Sequence, residues 1–300
     1  MGANEAGLHG LSTFVLASPF SDQDGDVFDT VAGYGYDMIE VCIEDPRLLT
    51  PRWVATQAAR TGLAVSVCGA FGPGRDISSE NPQVRAAAFE YLHHCVDFAQ
   101  AVESPHVAGP MYAATGLTRM LSSAERDAQR ERAVSGLRQV ADRAAAMGVG
   151  LAIEPLNRFE TDLVNTVEQG VELCRMIDRP NVGLMLDTFH MNIEEKNLGD
   201  AVRSAGELVF HVQVSENDRG TPGTGHIPWQ EVFSALSEIE YRGWISVESF
   251  LPTVQEIARA VSLWRPVANS MDELARDALE FLRRRVTETP GELRSSPADR

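Results

Sequence analysis

The stretch VGLMLDTFH, residues 182–190, is a short apolar run that ends on an acid and then changes character. Three other runs share this form, and the oxygen-bearing residues that end all four are Glu154 after LAI, Asp187 after GLML, Gln213 after FHV and Glu248 after WISV. Short apolar runs of this kind are typical of buried strands. If the four strands lie side by side, their ends form one oxygen-rich pocket that suits a hard divalent cation.

Apolar runs alternate with amphipathic stretches along the whole chain. The strand candidates are LHGLSTFVL, DMIEVCI, AVSVCGA, HVAGPMY, GLAIEPL, VGLMLDTFH, LVFHVQVSE and WISVESF. Helices are predicted over 81–101 and 122–147, where Ala, Glu, Arg and Leu dominate and Gly148 supplies a stop. This alternation predicts an α/β fold, the (β/α)8 TIM barrel, as a single catalytic domain over residues 1–286. The polar residues 287–300 are expected to form a flexible C-terminal tail.

The composition indicates a globular protein with an acidic surface. The 300 residues are 44% hydrophobic and include 24 glycines, which is enough for one large core. Lys and Arg number 26 against 43 Asp and Glu, so the net charge is −17. Because such a surface repels phosphate backbones and anionic lipid, neither nucleic acid nor a membrane is expected as a partner.

The cysteines and the N-terminal residues predict a cytoplasmic location. Cys42, Cys68, Cys95 and Cys174 are scattered without a CxxC pair, so we expect reduced thiols in the core. The start MGANEAGLHG lacks the basic and apolar regions of a signal peptide. No apolar run is long enough to span a bilayer.

The direction of each side chain determines whether it faces the barrel lumen or the surrounding helices. Because side chains alternate along a strand, Glu154, Asp187 and Glu248 are expected to point into the lumen, while their aliphatic neighbours face the helices. A single acid at a strand end more often caps the next helix or holds a loop. Three acids on neighbouring strands would repel one another and raise one another's pKa, and a divalent metal removes that conflict.

The remaining polar candidates each have an alternative role. His211 and Gln213 share a face of the seventh strand, so spacing permits either to reach a metal, the imidazole through nitrogen or the amide through oxygen. His190 lies just past the sixth strand, where an ordinary loop histidine is the alternative. Arg219 lies among glycines in the loop 217–229, and a loop of this length is usually functional. A solvated surface arginine is the alternative there.

Four motifs resemble those of the xylose-isomerase-like barrels. They are IEPLNRFET, LDTFHMNIEE, ENDRGTPGTGH and VESF, and the resemblance covers nearly the whole chain. The chain resembles the sugar phosphate isomerase/epimerase superfamily, in particular the D-tagatose, D-allulose and L-ribulose 3-epimerases. A neighbouring branch that resembles this chain at HVQVSEN includes the large subunit of C-glycoside deglycosidases.

The resemblance implies roles for individual residues. The implied metal ligands are Glu154, Asp187, Gln213 and Glu248. Glu154 and Glu248 are also implied as the catalytic acid and base, and the implied substrate contacts are Glu160, His190 and Arg219. The epimerases have a histidine where this chain has Gln213. Because an amide oxygen is a harder donor than imidazole, we expect Mn²⁺, with Mg²⁺ or Co²⁺ as alternatives, rather than zinc.

Two reactions fit these residues. The first is that of a divalent-metal-dependent ketose 3-epimerase, a sugar isomerase that works through an enediolate by proton transfer between two glutamates. The second is that of a C-glycoside deglycosidase-type lyase, in which the enediolate of a 3-oxo glycoside expels its aglycone. Both take a small-molecule carbohydrate, and the resemblance implies a homo-oligomer, or a hetero-oligomer with a small subunit for the lyase. The two glutamates argue against a third hypothesis, a sugar-binding protein without catalysis.

Overall fold

Eight parallel strands form the sheet in this computed structural model, which describes residues 9–288. The strands are β1 (His9–Ser12), β2 (Met38–Ile43), β3 (Ala64–Gly69), β4 (His106–Gly109), β5 (Gly150–Ile153), β6 (Val182–Asp187), β7 (Val209–Val214) and β8 (Ile245–Val247). They pair in chain order, and β8 pairs with β1, so the sheet closes on itself. The predicted (β/α)8 TIM barrel is confirmed.

Ten α-helices accompany these strands within the described residues. They are α1 (Gly25–Tyr34), α2 (Pro51–Thr61), α3 (Pro82–Ala101), α4 (Ser123–Ala146), α5 (Val167–Ile177), α6 (Thr188–Glu194), α7 (Leu198–Ala205), α8 (Trp229–Glu238), α9 (Gln255–Ala260) and α10 (Met271–Glu288). None of them is both long and apolar enough to cross a membrane. Because α10 continues to Glu288, the first two residues of the predicted tail are helical, and residues 289–300 lie outside the described part of the chain.

The helix ends follow from local sequence. The side chain of Asn81 accepts a hydrogen bond from the backbone of Gln83 at the start of α3. Ser122 and Glu125 form a reciprocal capping box at the start of α4. Gly148, just past the end of α4, has a φ of 71°, which a glycine adopts without strain. The helices predicted over 81–101 and 122–147 are therefore confirmed to within a residue at each end.

The first strand is shorter than predicted. The run LHGLSTFVL predicts one strand, but β1 ends at Ser12 and a 3-10 turn, Thr13–Val15, follows. The hydroxyl of Ser12 accepts a hydrogen bond from the backbone N–H of Phe14, and the hydroxyl of Thr13 accepts one from the backbone of Cys42. These short polar side chains provide partners that compete with a continued ladder.

Two apolar clusters lie on opposite faces of the sheet. Outward residues such as Leu151, Leu184 and Val247 pack with the helices in the larger cluster. A smaller cluster contains the inward residues, and its buried members are Phe14, Cys42, Cys68, Ala108, Ala152, Met185, Phe250 and Leu263. The predicted alternation is confirmed, because Ala152 and Met185 lie inside while their neighbours lie outside. All four cysteines are buried and free.

The register brings the ends of β5 to β8 to one rim. The Cα of Asp187 pairs with that of Gln213, and the Cα of Gln213 pairs with that of Ser246. Glu154 and Glu248 immediately follow β5 and β8. The four predicted ligands therefore lie at the carboxyl-terminal end of the barrel, which carries the active site in enzymes of this architecture.

Candidate active site

Three buried carboxylates and one guanidinium meet at this rim. Glu154 and Glu248 are each 5% exposed, and Asp187 is 1% exposed. Nη1 of Arg219 donates to Oδ2 of Asp187 at 2.5 Å and to Oε2 of Glu248 at 2.9 Å. A buried arginine that bridges two carboxylates offsets part of the charge that burial makes costly.

The electrostatic environment differs among the three acids. Burial, together with the neighbouring Glu248 and Asp187, raises the pKa of Glu154 well above its ordinary value. Burial also raises the pKa of Glu248, against the opposing effect of Arg219. Burial acts in the same direction on Asp187, but Arg219 and His190 outweigh it and lower the pKa of that carboxyl. The expected upward shift is therefore wrong for Asp187, because a guanidinium binds it.

His190 stands beside the acids on the first turn of α6. Its Nε2 lies 3.5 Å from Oε1 of Glu154 and 3.8 Å from Oδ2 of Asp187. Its Nδ1 accepts a hydrogen bond from the backbone N–H of Asn157 at 3.1 Å. Both nitrogens of the neutral ring therefore face N–H donors, because Nη2 of Arg219, which can only donate, lies 3.0 Å from Nε2. Burial lowers the pKa of His190, which favours this neutral ring.

Aromatic rings as well as acids hold Arg219. Its guanidinium carbon lies 4.1 Å from the ring centre of Phe189 and 5.2 Å from that of Phe250, within the range of cation–π attraction. Its Nη2 lies 3.0 Å from Nε2 of His190. The backbone of Arg219 has a φ of 67°, and its carbonyl accepts a hydrogen bond from the hydroxyl of Ser249. Because Arg219 is only 3% exposed, the alternative of a solvated surface arginine is wrong.

A buried glutamate shapes the loop that carries this arginine. Oε1 of Glu216 accepts hydrogen bonds from Nε1 of Trp229 at 2.6 Å and from the backbone of Gly223 at 2.9 Å. Its Oε2 accepts bonds from the backbones of Asn217 at 3.1 Å and Ile227 at 3.3 Å. One carboxylate therefore joins both ends of the loop. Trp229, at the end of the predicted loop, is the first residue of α8.

Gln213 and His211 both contact Glu40 of β2 below the rim. Nε2 of Gln213 donates to Oε1 of Glu40 at 2.7 Å, and Nε2 of His211 lies 2.5 Å from Oε2 of Glu40. All three residues are 0% exposed. His211 is level with Met185 in the sheet, whereas Gln213 is level with Asp187. Oε1 of Gln213 is buried and has no hydrogen-bond partner among residues 9–288.

Glu160 lies at the edge of the site and is half-buried. Its Oε1 accepts a hydrogen bond from Nδ2 of Asn157 at 2.8 Å, and the same nitrogen lies 2.9 Å from Nδ1 of His190. Burial is the larger cause of the raised pKa of Glu154 and Glu248, and the negative charge of Glu160 adds to it. Asn157 therefore links Glu160 to the imidazole.

The donor atoms at the rim suit a divalent cation. One ligand atom each from Glu154, Asp187 and His190 lies within 4.8 Å of the others. The unpartnered Oε1 of Gln213 is a further oxygen donor from the neighbouring strand. Carboxylate and amide oxygens favour hard cations such as Mn²⁺ and Mg²⁺. These residues fit a divalent metal, with His190 as a ligand that the sequence did not suggest, whereas the predicted ligand Glu248 is not part of this group and is bound by Arg219.

Glu40, Glu216 and Asn157 are residues of the site that were not predicted from sequence. Glu40 is an acid inside the apolar run DMIEVCI, and that anomaly is the signal that could have identified it. Glu216 lies in the ENDRG motif beside Arg219, and Asn157 lies in IEPLNRFET. Neither of these two stands out from its neighbours, because loop residues of these types are common.

The chain is similar to sugar epimerases in both sequence and structure. The profile of the family described as xylose isomerase-like TIM barrel matches residues 28–285. The chain is 33% identical over 276 residues to a probable ketose 3-epimerase of Synechocystis sp., which covers 91% of this chain and 95% of that relative. It is 33% identical over 284 residues to a D-psicose 3-epimerase of Agrobacterium fabrum, with coverages of 92% and 98%. Its fold matches a crystal structure of D-allulose 3-epimerase from Methylomonas sp. in complex with D-allulose, with a TM-score of 0.88, 30% identity and coverages of 95% and 99%.

Proposed function

Because this chain belongs to the xylose isomerase-like TIM barrel family, we propose that it is a ketose 3-epimerase that depends on a divalent metal. The chain is an enzyme of the sugar epimerase and isomerase class. One observation carries the proposal. Two buried glutamates, Glu154 after β5 and Glu248 after β8, lie at one rim with Asp187 of β6 between their strands.

The proposed metal ligands are Glu154, Asp187, Gln213 and Glu248. The convergence of the carboxylates and the unpartnered Oε1 of Gln213 support this set. His211 is the weaker candidate, because its Nε2 contacts Glu40 below the rim. A bound divalent metal supplies a Lewis acid that stabilises negative charge on sugar oxygens. The oxygen-rich set favours Mn²⁺, with Mg²⁺ or Co²⁺ as alternatives.

The proposed proton transfer uses Glu154 and Glu248. Epimerisation at C3 requires one group to remove the proton beside the ketone, which gives an enediolate. A second group must then return a proton on the opposite face of the carbon. Glu154 and Glu248 come from strands separated by two others, so they can approach the substrate from different sides. Each is base in one direction of the reaction and acid in the other.

Glu160, His190 and Arg219 are the proposed substrate contacts. His190 presents Nε2 toward the acids, and Arg219 presents its guanidinium at the same place. The guanidinium is a donor that can bind sugar oxygens as negative charge develops on them, and the imidazole can contact a sugar hydroxyl. Glu160 lies at the edge of the site, where its carboxylate can accept hydrogen bonds from sugar hydroxyls. The rings of Phe189 and Phe250 hold the guanidinium in position.

The lyase reaction is not favoured. The relatives reported above are epimerases of ketoses, and none of their names describes cleavage of a glycoside. These names therefore do not support a second, small subunit of the kind that a deglycosidase uses. Assembly of this chain into a homo-oligomer stays a prediction.

Solvent deuterium incorporation tests the proposal. The protein is incubated in D₂O with Mg²⁺ and, separately, a ketohexose, a ketopentose or a 3-oxo glycoside, and the products are followed by proton NMR. We expect the C3 epimer of a ketose, labelled with deuterium at C3. A released aglycone would instead identify the lyase. The absence of both deuterium uptake and a new product with Mg²⁺, Mn²⁺ and Co²⁺ would contradict both reactions.

A further inference from the structure

A buried acid reaches across the barrel lumen to Gln213. Glu40 belongs to β2 and Gln213 to β7, and the closed sheet places β1 and β8 between these strands. Oε1 of Glu40 nevertheless accepts a hydrogen bond from Nε2 of Gln213 at 2.7 Å. Both residues are 0% exposed, so water does not compete for this bond.

The other contacts of Glu40 hold its carboxylate in one orientation. Oε2 lies 2.5 Å from Nε2 of His211, and the hydroxyl of Ser246 donates to Oε1 at 3.3 Å. These contacts come from β7 and β8, which β1 separates from β2 in the closed sheet. Rotation of the carboxylate would break several buried hydrogen bonds, each of which is costly to leave unmade.

The chemistry of an amide makes this orientation matter. The two ends of a glutamine amide are nearly identical in shape, but one end donates and the other accepts. An ionised carboxylate only accepts, so it attracts the NH₂ group and repels the carbonyl oxygen. Glu40 therefore sets Nε2 of Gln213 toward itself and leaves Oε1 on the other side. That oxygen is buried and has no hydrogen-bond partner in the described residues.

We propose that Glu40 is a positioning residue that fixes the amide of Gln213 with its oxygen toward the metal. This inference rests on the proposed function, because it takes Gln213 as a metal ligand. A flipped amide would present an NH₂ group to the cation and could not coordinate it. An imidazole in this place would not need the same control, because it has a nitrogen at either position of the ring that can bind a metal. Glu40 therefore acts through Gln213 and touches neither metal nor sugar.

Mn²⁺ affinity tests the inference without any measurement of catalysis. The EPR signal of free Mn²⁺ is titrated with wild-type protein, Glu40→Gln, Gln213→Ala and the double variant. Glu40→Gln allows the amide of Gln213 to flip, so we expect Mn²⁺ binding to weaken by about tenfold or more, the usual effect of removing a partner that orients a ligand. Glu131→Gln, at an exposed position of α4, is the control, because it makes the same change of charge away from the barrel lumen. It should bind Mn²⁺ as the wild type does.

The double variant separates positioning from a general loss of buried charge. If Glu40 acts through Gln213, adding Glu40→Gln to Gln213→Ala causes no further loss of Mn²⁺ affinity. Additive losses would overturn the inference. Unchanged affinity in Gln213→Ala would also overturn it, but would leave a metal-dependent epimerase intact. A wild type that binds neither Mn²⁺ nor Mg²⁺ would instead contradict the proposed function itself.

A measurement on the wild type keeps the inference testable if Glu40→Gln does not fold. Protein labelled with ¹⁵N in its glutamine side chains is titrated with Mg²⁺, and the NH₂ signals of Gln213 are assigned by their loss in Gln213→Ala. We expect these signals to shift with Mg²⁺ and to exchange slowly with solvent, because Nε2 stays bonded to Glu40 while Oε1 meets the cation. No shift at saturating Mg²⁺ would overturn the inference.

Discussion

Oε1 of Glu216 accepts a hydrogen bond from the indole Nε1 of Trp229 at 2.6 Å, and both side chains are buried. The bond joins Glu216, two residues after the end of β7, to the first residue of α8, so it closes the loop between the two elements. The backbone of Arg219 donates to the carbonyl of Glu216 at 2.9 Å within that loop. The position of the guanidinium at the rim therefore depends on the carboxylate that holds this loop.

Glu216→Gln is expected to impair the loop more than the barrel. A glutamine amide can accept from some of the N–H groups that Glu216 binds, but its NH₂ group must face donors, and each buried donor left without a partner costs about 1–3 kcal/mol. We expect kcat/KM for the ketose to fall by about tenfold or more. The measurement is steady-state kinetics, with tryptophan fluorescence to report Trp229.

The matched control for this loop is Glu231→Gln. Glu231 is exposed on α8, the helix that begins at Trp229, and its carboxylate accepts a hydrogen bond from Nδ2 of Asn197 at 3.1 Å. Its side chain carries the same charge and contacts Asn197, not the loop. Equal kinetic effects of the two substitutions would show that charge, not loop geometry, is responsible.

Glu154→Gln and Glu248→Gln are each expected to lower turnover by roughly a hundredfold or more, the scale for losing a general acid or base. Either variant keeps the shape of the side chain but cannot exchange a proton. The measurement is kcat at saturating Mn²⁺, so that weaker metal binding does not account for the loss. Glu131→Gln, at an exposed position of α4, is the control. Turnover within a few fold of wild type would rule out the proposed acid and base.

Gln213→His is expected to change metal preference. Imidazole is a softer ligand than an amide oxygen, so the variant should bind zinc more tightly relative to Mg²⁺ than the wild type does. Isothermal titration calorimetry with each metal measures the ratio of the two affinities. An unchanged ratio would place residue 213 outside the coordination sphere.

His9 is expected to make the protein less stable in mild acid. Burial, with a smaller effect of Arg283, lowers the pKa of His9 from 6.5 to about 4. The unfolded chain therefore takes up a proton first as pH falls below 6.5, while the folded chain stays neutral until about pH 4. The neutral form favours folding above that range, and the advantage is lost as pH falls through it.

Denaturant unfolding at pH 7 and pH 5 measures this effect. The titration of His9 should lower the unfolding free energy of the wild type by about 1–2 kcal/mol between pH 7 and pH 5. His9→Gln cannot titrate, so its loss over the same interval should be smaller by that amount. The same loss in both proteins would mean that other groups cause the acid sensitivity.

The fold and the rim acids could be predicted from the sequence because both depend on local periodicity. Strand-like runs that alternate with helical stretches specify the barrel. Within a strand, alternation of side chains sends Glu154 and Asp187 inward once Leu151 and Leu184 face the helices. The same reasoning missed the early end of β1 at Ser12, because side-chain hydrogen bonds, not periodicity, end that strand.

Sequence alone thus determined which strands carry oxygen donors at their ends and on which face those donors lie. Only the tertiary structure decided what each donor touches. Gln213 and Glu40 are 173 residues apart, and Arg219 and Asp187 are 32 apart, yet both pairs are in hydrogen-bond contact. Closure of the barrel brings β7 within reach of β2 across the lumen, and the folding of one loop brings Arg219 over the rim. Periodicity is a property of neighbours along the chain, whereas these contacts depend on how separate elements meet across the lumen.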